Sequence, residues 1–169
     1  MIILGIETSC DETAASICNN GVILSSVVRT QLIHGDYGGV VPEIASREHD
    51  SHINYIVHRS LKIAKIQLNE IDAIAVTYGP GLAGSLLVGV NYAKGLSLGL
   101  QIPFIGINHL EGHLYSNFIS DANIDYPYLC LLVTGGHTQI WEVQKNDKYF
   151  LHSTTVDDAA GEAFDKGAR

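Results

Sequence analysis

Basic residues are scarce in this chain: its 169 residues hold ten Lys and Arg against eighteen Asp and Glu, a formal charge of −8. With no basic blanket to displace counterions along a phosphate backbone, a free-standing nucleic-acid binder is excluded. Any RNA partner needs a local patch or a helper subunit. Cysteine is equally sparse, since Cys10, Cys18 and Cys130 are the full complement and show no C-x-x-C spacing. A disulfide framework is therefore not expected, and with no basic-then-apolar leader a reduced, cytoplasmic setting is. Long hydrophobic runs are missing as well. Gly, Asn, Lys or His interrupts every apolar stretch well before the roughly 18 residues that a membrane span needs. What is present, 46% hydrophobic and 17% charged, is the composition of an ordinary globular protein with a proper core.

Three short strands open the chain. Met1 to Ile6 and Thr13 to Cys18 flank the polar tip "ETSCDE", and "NNG" at Asn19 to Gly21 turns the chain into Val22 to Val28. Between Ser46 and Lys65 the residues Ile53, Ile56, Val57, Leu61 and Ala64 recur at helical spacing, with Asp50, Arg59, Lys62 and Lys65 opposite. That basic face reads as solvated surface. Asp72 to Thr77 is a buried strand, and "YGPGLAG" leads into a helix over Ser85 to Leu98 that Gly84, Gly89 and Ala93 keep thin. Pro103 to Ile107 is a further strand. Asn108 then opens a helix, with Glu111 placed for a capping box. "YLCLLVTGGHTQIWEV" repeats the opening pattern of strand, small polar turn and strand, which predicts a duplicated α/β architecture divided as 1–125 and 126–169.

Several motifs carry chemistry. His109 and His113 lie four positions apart, so on a helix both imidazoles share one face and either hold a metal or decorate a surface. The order is H-L-E-G-H, not the H-E-x-x-H of zinc peptidases, and Glu111 points about 200° round the helix from His109. A metallopeptidase base is thus not evident. Proximity to a helix N-terminus disfavours imidazolium and keeps both rings available as neutral ligands. In "VTGGHT", Gly135 and Gly136 allow positive φ and let backbone N–H groups approach an anion; the alternative is a plain hairpin turn. Asp11 and Glu12 at the first tip would repel a bare phosphate, so they imply a bridging cation, a polarised water, or only a solvated turn. "YGPGLAG" lacks the Lys-Ser/Thr of a Walker loop and reads as a helix entry that lets a ligand or a backbone come close. Asp165, in "DDAAGEAFDKGAR", is suited either to ribose hydroxyls or to open surface.

Taken together, "GIETSCDET", "GGVVPEIASREH", "GPGLAGSLLVG", "NHLEGH", "LLVTGGHTQ" and "DDAAGEAFDK" resemble the TsaD family of tRNA threonylcarbamoyladenosine synthases, collinearly along the whole chain. The resemblance implies the actin and sugar-kinase type ATPase fold, with two ribonuclease-H-like lobes, the second truncated here. It implies transfer of a threonylcarbamoyl group from threonylcarbamoyl-adenylate (threonylcarbamoyl-AMP) to N6 of the adenosine 3′ of the anticodon, in tRNAs reading codons that begin with A. By that likeness His109 and His113 are ligands of one divalent iron or zinc ion. Leu132, Val133, Thr134, Gly135, Gly136 and Asp165 contact the adenylate, and Asp11 and Glu12 sit near the reacting centre. It implies a TsaB-like paralogue and a TsaE-like ATPase as partners, as in bacteria, with tRNA bound transiently. The family's third metal ligand, an aspartate, comes from a C-terminal lobe, outside the stretch matched here. Two other readings compete: a glycoprotease-type metallopeptidase, and a non-catalytic lobe that binds partner subunits.

Overall fold

A computed structural model of the chain describes residues 1–120, 124–145 and 148–168. The chain divides into two compact units, Met1–Leu110 and Glu111–Arg169.

The first unit is built on a five-stranded sheet of order β3-β2-β1-β4-β5, formed by β1 (Ile2–Glu7), β2 (Glu12–Asn19), β3 (Val22–Thr30), β4 (Ala73–Gly79) and β5 (Phe104–Asn108). The first three strands run antiparallel, joined by hairpins; β4 and β5 run parallel to β1. Strand alternation sends Leu4, Ile6, Ala15, Ile17, Ile74 and Val76 to one face, where Ile53, Ile56, Val57 and Leu61 of α1 (Pro42–Ala64) cover them. Each fully buried aliphatic side chain of this kind stabilises the fold by about 1.5–3 kcal/mol. Helix α1 starts four residues earlier than the apolar spacing predicts, because Pro42 occupies the first helical turn, where its missing N–H and fixed φ cost nothing. It ends on Lys65 in the left-handed conformation.

Helix α2 (Ala83–Leu100) buries Ser85, Gly89 and Ala93, a stripe of small residues one helical face wide. The expected thinness is there, but Ser85 takes the place that the sequence reading gave to Gly84, which is exposed.

Helix α3 (His109–Ser120) crosses the division between the units. The compact division falls after Leu110, inside this helix. His109 is tied to Glu7 and Ser9 of the first unit, whereas Leu114 accepts a hydrogen bond from the Tyr128 hydroxyl in the second.

The second unit holds a three-stranded antiparallel sheet of order β6-β7-β8, from β6 (Tyr128–Val133), β7 (Thr138–Gln144) and β8 (Lys148–Ser153), followed by α4 (Ala160–Gly167). Each unit thus opens its sheet with the same antiparallel meander. The sequence reading did not include β8: "KYFLHS" has little alternation, and most of its residues are exposed. In β7 the buried positions are Gln139 and Val143, while Ile140 is exposed.

No helix among the described residues is long and apolar enough to cross a membrane.

Candidate functional site

The end of β1 delivers a carboxylate into a ring of donors. Glu7 Oε2 accepts from the Thr77 hydroxyl at 2.5 Å and lies 3.1 Å from His109 Nδ1, while Oε1 accepts the Ser9 backbone N–H. Burial pushes this carboxyl upward. The hydrogen bonds from His109, Ser9 and Thr77 outweigh that effect and hold it down at about 2, against an ordinary 4.5. Glu7 is therefore a carboxylate throughout the physiological range and acts as acceptor only.

The tip that follows is held from two sides. From α1, the fully buried His49 places Nε2 3.0 Å from the Cys10 carbonyl oxygen and Nδ1 2.7 Å from the Thr13 hydroxyl. Burial lowers its pKa below 6.5 and outweighs the opposing pull of Cys10, Glu7 and Asp11, so the ring is neutral and bridges donor to acceptor. From the other side comes the glycine loop "YGPGLAG". Leu82 N–H donates to the Ser9 carbonyl at 2.8 Å, and a Cβ at Gly81 would stand 2.5 Å from that oxygen. What approaches this loop closely is thus a backbone. Gly81 also sits at φ +158°, which L side chains rarely adopt. Gly81→Ala is expected to destabilise the first unit by about 1–3 kcal/mol, read as a lowered urea midpoint with unchanged slope.

Asp11 and Glu12 lie where the hairpin reading put them. The Asp11 carbonyl accepts from Gln31 N–H at 3.0 Å, and Glu12 Oε1 accepts from the Thr30 hydroxyl at 3.0 Å. Between Ser9 and Asp11, desolvation and the Asp11 carboxylate push the Cys10 thiol up to about 11. It is protonated at neutral pH and unsuited to nucleophilic attack.

His109 and His113 both belong to α3, one helical turn apart. Asn108 caps this helix, its Oδ1 accepting Leu110 N–H at 2.9 Å. Among the described residues, no group of three or more His, Cys, Asp and Glu is placed to hold a metal ion. A catalytic zinc site takes three protein ligands, one more than two imidazoles can supply.

In the second unit the "VTGGHT" turn closes between β6 and β7, with Thr134 N–H donating to the His137 carbonyl at 2.8 Å and His137 N–H to the Thr134 hydroxyl at 3.0 Å. Neither Gly135 nor Gly136 uses the positive φ that glycine allows, and a Cβ on either would meet open space. The glycine that the turn requires is Gly161 of α4, where a Cβ would lie 2.8 Å from both Gly135 Cα and the Thr134 carbonyl oxygen. Glu162 N–H donates to the Gly135 carbonyl at 3.1 Å, and Ala160 N–H to the Thr138 hydroxyl at 2.8 Å, fixing turn and helix together. Val133 is exposed, the Leu132 side chain is buried, and Asp165 is exposed on α4.

Sequence reasoning missed Glu7, His49 and Thr77. Glu7 ends the apolar run of β1 and was counted as part of a polar tip. His49 falls on the apolar stripe of α1, four residues before Ile53, and that position is the signal that marks it as an inward-facing polar group.

Comparison with known proteins bears on this arrangement. Residues 22–169 match the family model described as TsaD, tRNA N6-adenosine threonylcarbamoyltransferase. Proteins of that name from Thermosipho melanesiensis and Caldicellulosiruptor saccharolyticus are 56% and 55% identical over all of this chain, which covers 52% and 51% of them. The chain thus spans about half the length of the curated relatives it matches. Among solved structures, YeaZ from Pseudomonas aeruginosa aligns at TM-score 0.60 and 20% identity, over 91% of this chain and 66% of that one. A ROK hexokinase from Thermus thermophilus aligns at TM-score 0.52 and 16% identity, over 89% and 49%. These likenesses show the fold, the mixed α/β architecture of the actin and sugar-kinase type. On the extent of the family match and on identity above half along its whole length, the chain belongs to the TsaD family of tRNA N6-adenosine threonylcarbamoyltransferases.

Proposed function

We propose that this chain supplies part of an enzyme that transfers the threonylcarbamoyl group of threonylcarbamoyl-adenylate to N6 of the adenosine 3′ of the anticodon, in tRNAs reading codons that begin with A. The observation that carries the reading is α3, which presents two imidazoles one turn apart, the first of them backed by a carboxylate. That donor set fits two ligands of a divalent ion, with iron favoured and zinc as the alternative. When bound, the ion would supply positive charge to orient and polarise the threonylcarbamoyl carbonyl.

The remaining work falls to the chain's own groups. Backbone N–H groups around Thr134, Gly135 and Gly136 hold the adenylate phosphate, where an exposed glycine turn leaves no side chain in the way. Leu132 and Val133 form the strand end that carries this turn, and Asp165 contacts the substrate from α4. Asp11 and Glu12 stand at the reacting centre. Because the mixed anhydride is already activated, positioning and charge stabilisation matter more than a strong base, which suits a site without an H-E-x-x-H glutamate and disfavours the peptidase reading.

With a net charge of −8, tRNA binding relies on partner subunits. A TsaB-like paralogue would seat on α1 and α2, which expose Tyr55, Ile63 and Leu87, and a TsaE-like ATPase completes the set. A cytoplasmic setting goes with this reading, supported by the free Cys10, Cys18 and Cys130.

The test is direct. The chain, completed with the second half of the Thermosipho melanesiensis relative and supplied with the partners, is incubated with threonylcarbamoyl-adenylate and unmodified tRNA. The modified nucleoside is expected on digestion; its absence sinks the assignment.

A further inference from the structure

We infer that Glu7 is a positioning residue for His109: its carboxylate accepts the hydrogen bond from Nδ1–H and so leaves Nε2 as the nitrogen that donates a lone pair to a metal. The inference rests on the metal-ligand reading of His109 and adds to it the identity of the donor atom and the group that sets it.

The geometry is confined to the first unit. Glu7 Oε2 is 3.1 Å from His109 Nδ1, and no carboxylate oxygen has a proton to give. The imidazole must therefore be the donor, with its proton on Nδ1. The Ser9 hydroxyl lies slightly farther from the same nitrogen, at 3.3 Å, and is able to donate or accept. Of these two, Glu7 has the fixed sense. It is also the more rigidly held of the two, because Thr77 and the Ser9 backbone both donate to it from the sheet and the tip. A neutral imidazole left to itself favours the Nε2–H form, so an observed Nδ1–H form is a signature of this contact. Carboxylate backing of this kind fixes the tautomer and ring orientation of a metal-ligating histidine and raises its basicity.

The experiment reads the tautomer and metal binding separately. In the metal-free 169-residue chain, labelled with 15N at histidine and held at pH 8, the His109 ring nitrogens are assigned by long-range 1H–15N correlation. The wild type is expected to show a protonated, pyrrole-type Nδ1 and a pyridine-type Nε2. Glu7→Gln shifts the ring toward the Nε2–H form and, in the protein completed with the second half of the Thermosipho melanesiensis relative, weakens Co2+ or Zn2+ binding by about 10- to 100-fold in calorimetry. Ser9→Ala leaves the tautomer as in the wild type. A wild-type spectrum with the proton on Nε2 overturns the inference without any variant, which covers the case in which Glu7→Gln fails to fold. A tautomer that switches in Ser9→Ala and not in Glu7→Gln overturns it as well, by transferring the role to the serine. If neither wild type nor variant binds metal in the completed protein while the Nδ1–H form depends on Glu7, the metal reading of His109 falls and the inferred contact stands.

Discussion

Alanine at His109 or at His113 is expected to lower threonylcarbamoyl transfer at least about 100-fold in the protein completed with the second half of the Thermosipho melanesiensis relative. On the proposed metal reading, two ligands from one turn of α3 leave no redundancy: loss of either imidazole would remove half of what this chain would contribute to a three-ligand site. Because His109 and His113 lie near the start of a helix whose core side chain is Leu114, their removal leaves the main packing intact. Metal content by elemental analysis should fall with activity, and far-ultraviolet circular dichroism should not change. Equal product from wild type and both variants would remove the metal from the mechanism.

The second large effect is on stability. His49 is fully buried and satisfies the Cys10 carbonyl and the Thr13 hydroxyl together. His49→Ala leaves both without that partner and opens a cavity under the tip, a loss of about 2–5 kcal/mol measured by urea unfolding. The same side chain makes the first unit sensitive to acid. Folded, its pKa lies below 6.5, through burial and the neighbouring His34, and against the pull of Cys10, Glu7 and Asp11. Unfolded, it titrates near 6.5. Below that pH the unfolded chain binds the extra proton, so stability falls as pH drops through 6.5 toward the folded value. Above it, no dependence arises from this group. Unfolding curves for wild type and His49→Gln between pH 5 and 8 should differ in slope below about 6.5 and run parallel above it. Parallel curves throughout would show that His49 does not carry the dependence.

How far these features were legible in the sequence varies from residue to residue. The three opening strands could be read because "NNG" and the polar tip punctuate alternating apolar runs, and β1 to β3 lie within a residue or two of their expected limits. The helical histidine pair was equally plain, since spacing alone puts both rings on one face. The Gly135 and Gly136 turn was legible as one without side-chain obstruction, and a Cβ on either glycine would meet open space. No positive φ is needed there, and the close approach belongs to Gly161, which is distant in sequence. Glu7 and His49 escaped for a related reason. The Thr77 and His109 partners of Glu7 lie 70 and 102 positions away, and although its place on the apolar stripe marks His49 as inward-facing, what it meets lies 36 to 39 positions away. Tertiary placement alone makes one an acceptor at His109 and the other a strut beneath the tip.

Ser9 shows what substitution experiments on this site will miss. Its N–H binds Glu7, its carbonyl receives Leu82, and only its hydroxyl, beside His109, belongs to the side chain. Alanine at position 9 deletes the longest of these three ties, together with the hydroxyl's contact to Glu7, and leaves the main-chain pair in place. A scan of side chains would therefore rank residue 9 as tolerant, although its peptide groups join the glycine loop to the carboxylate that faces His109. Gly81 is the point where that junction is open to mutation. A substitution there, some distance along the chain from either histidine, should disturb the imidazole more than one at Ser9 itself.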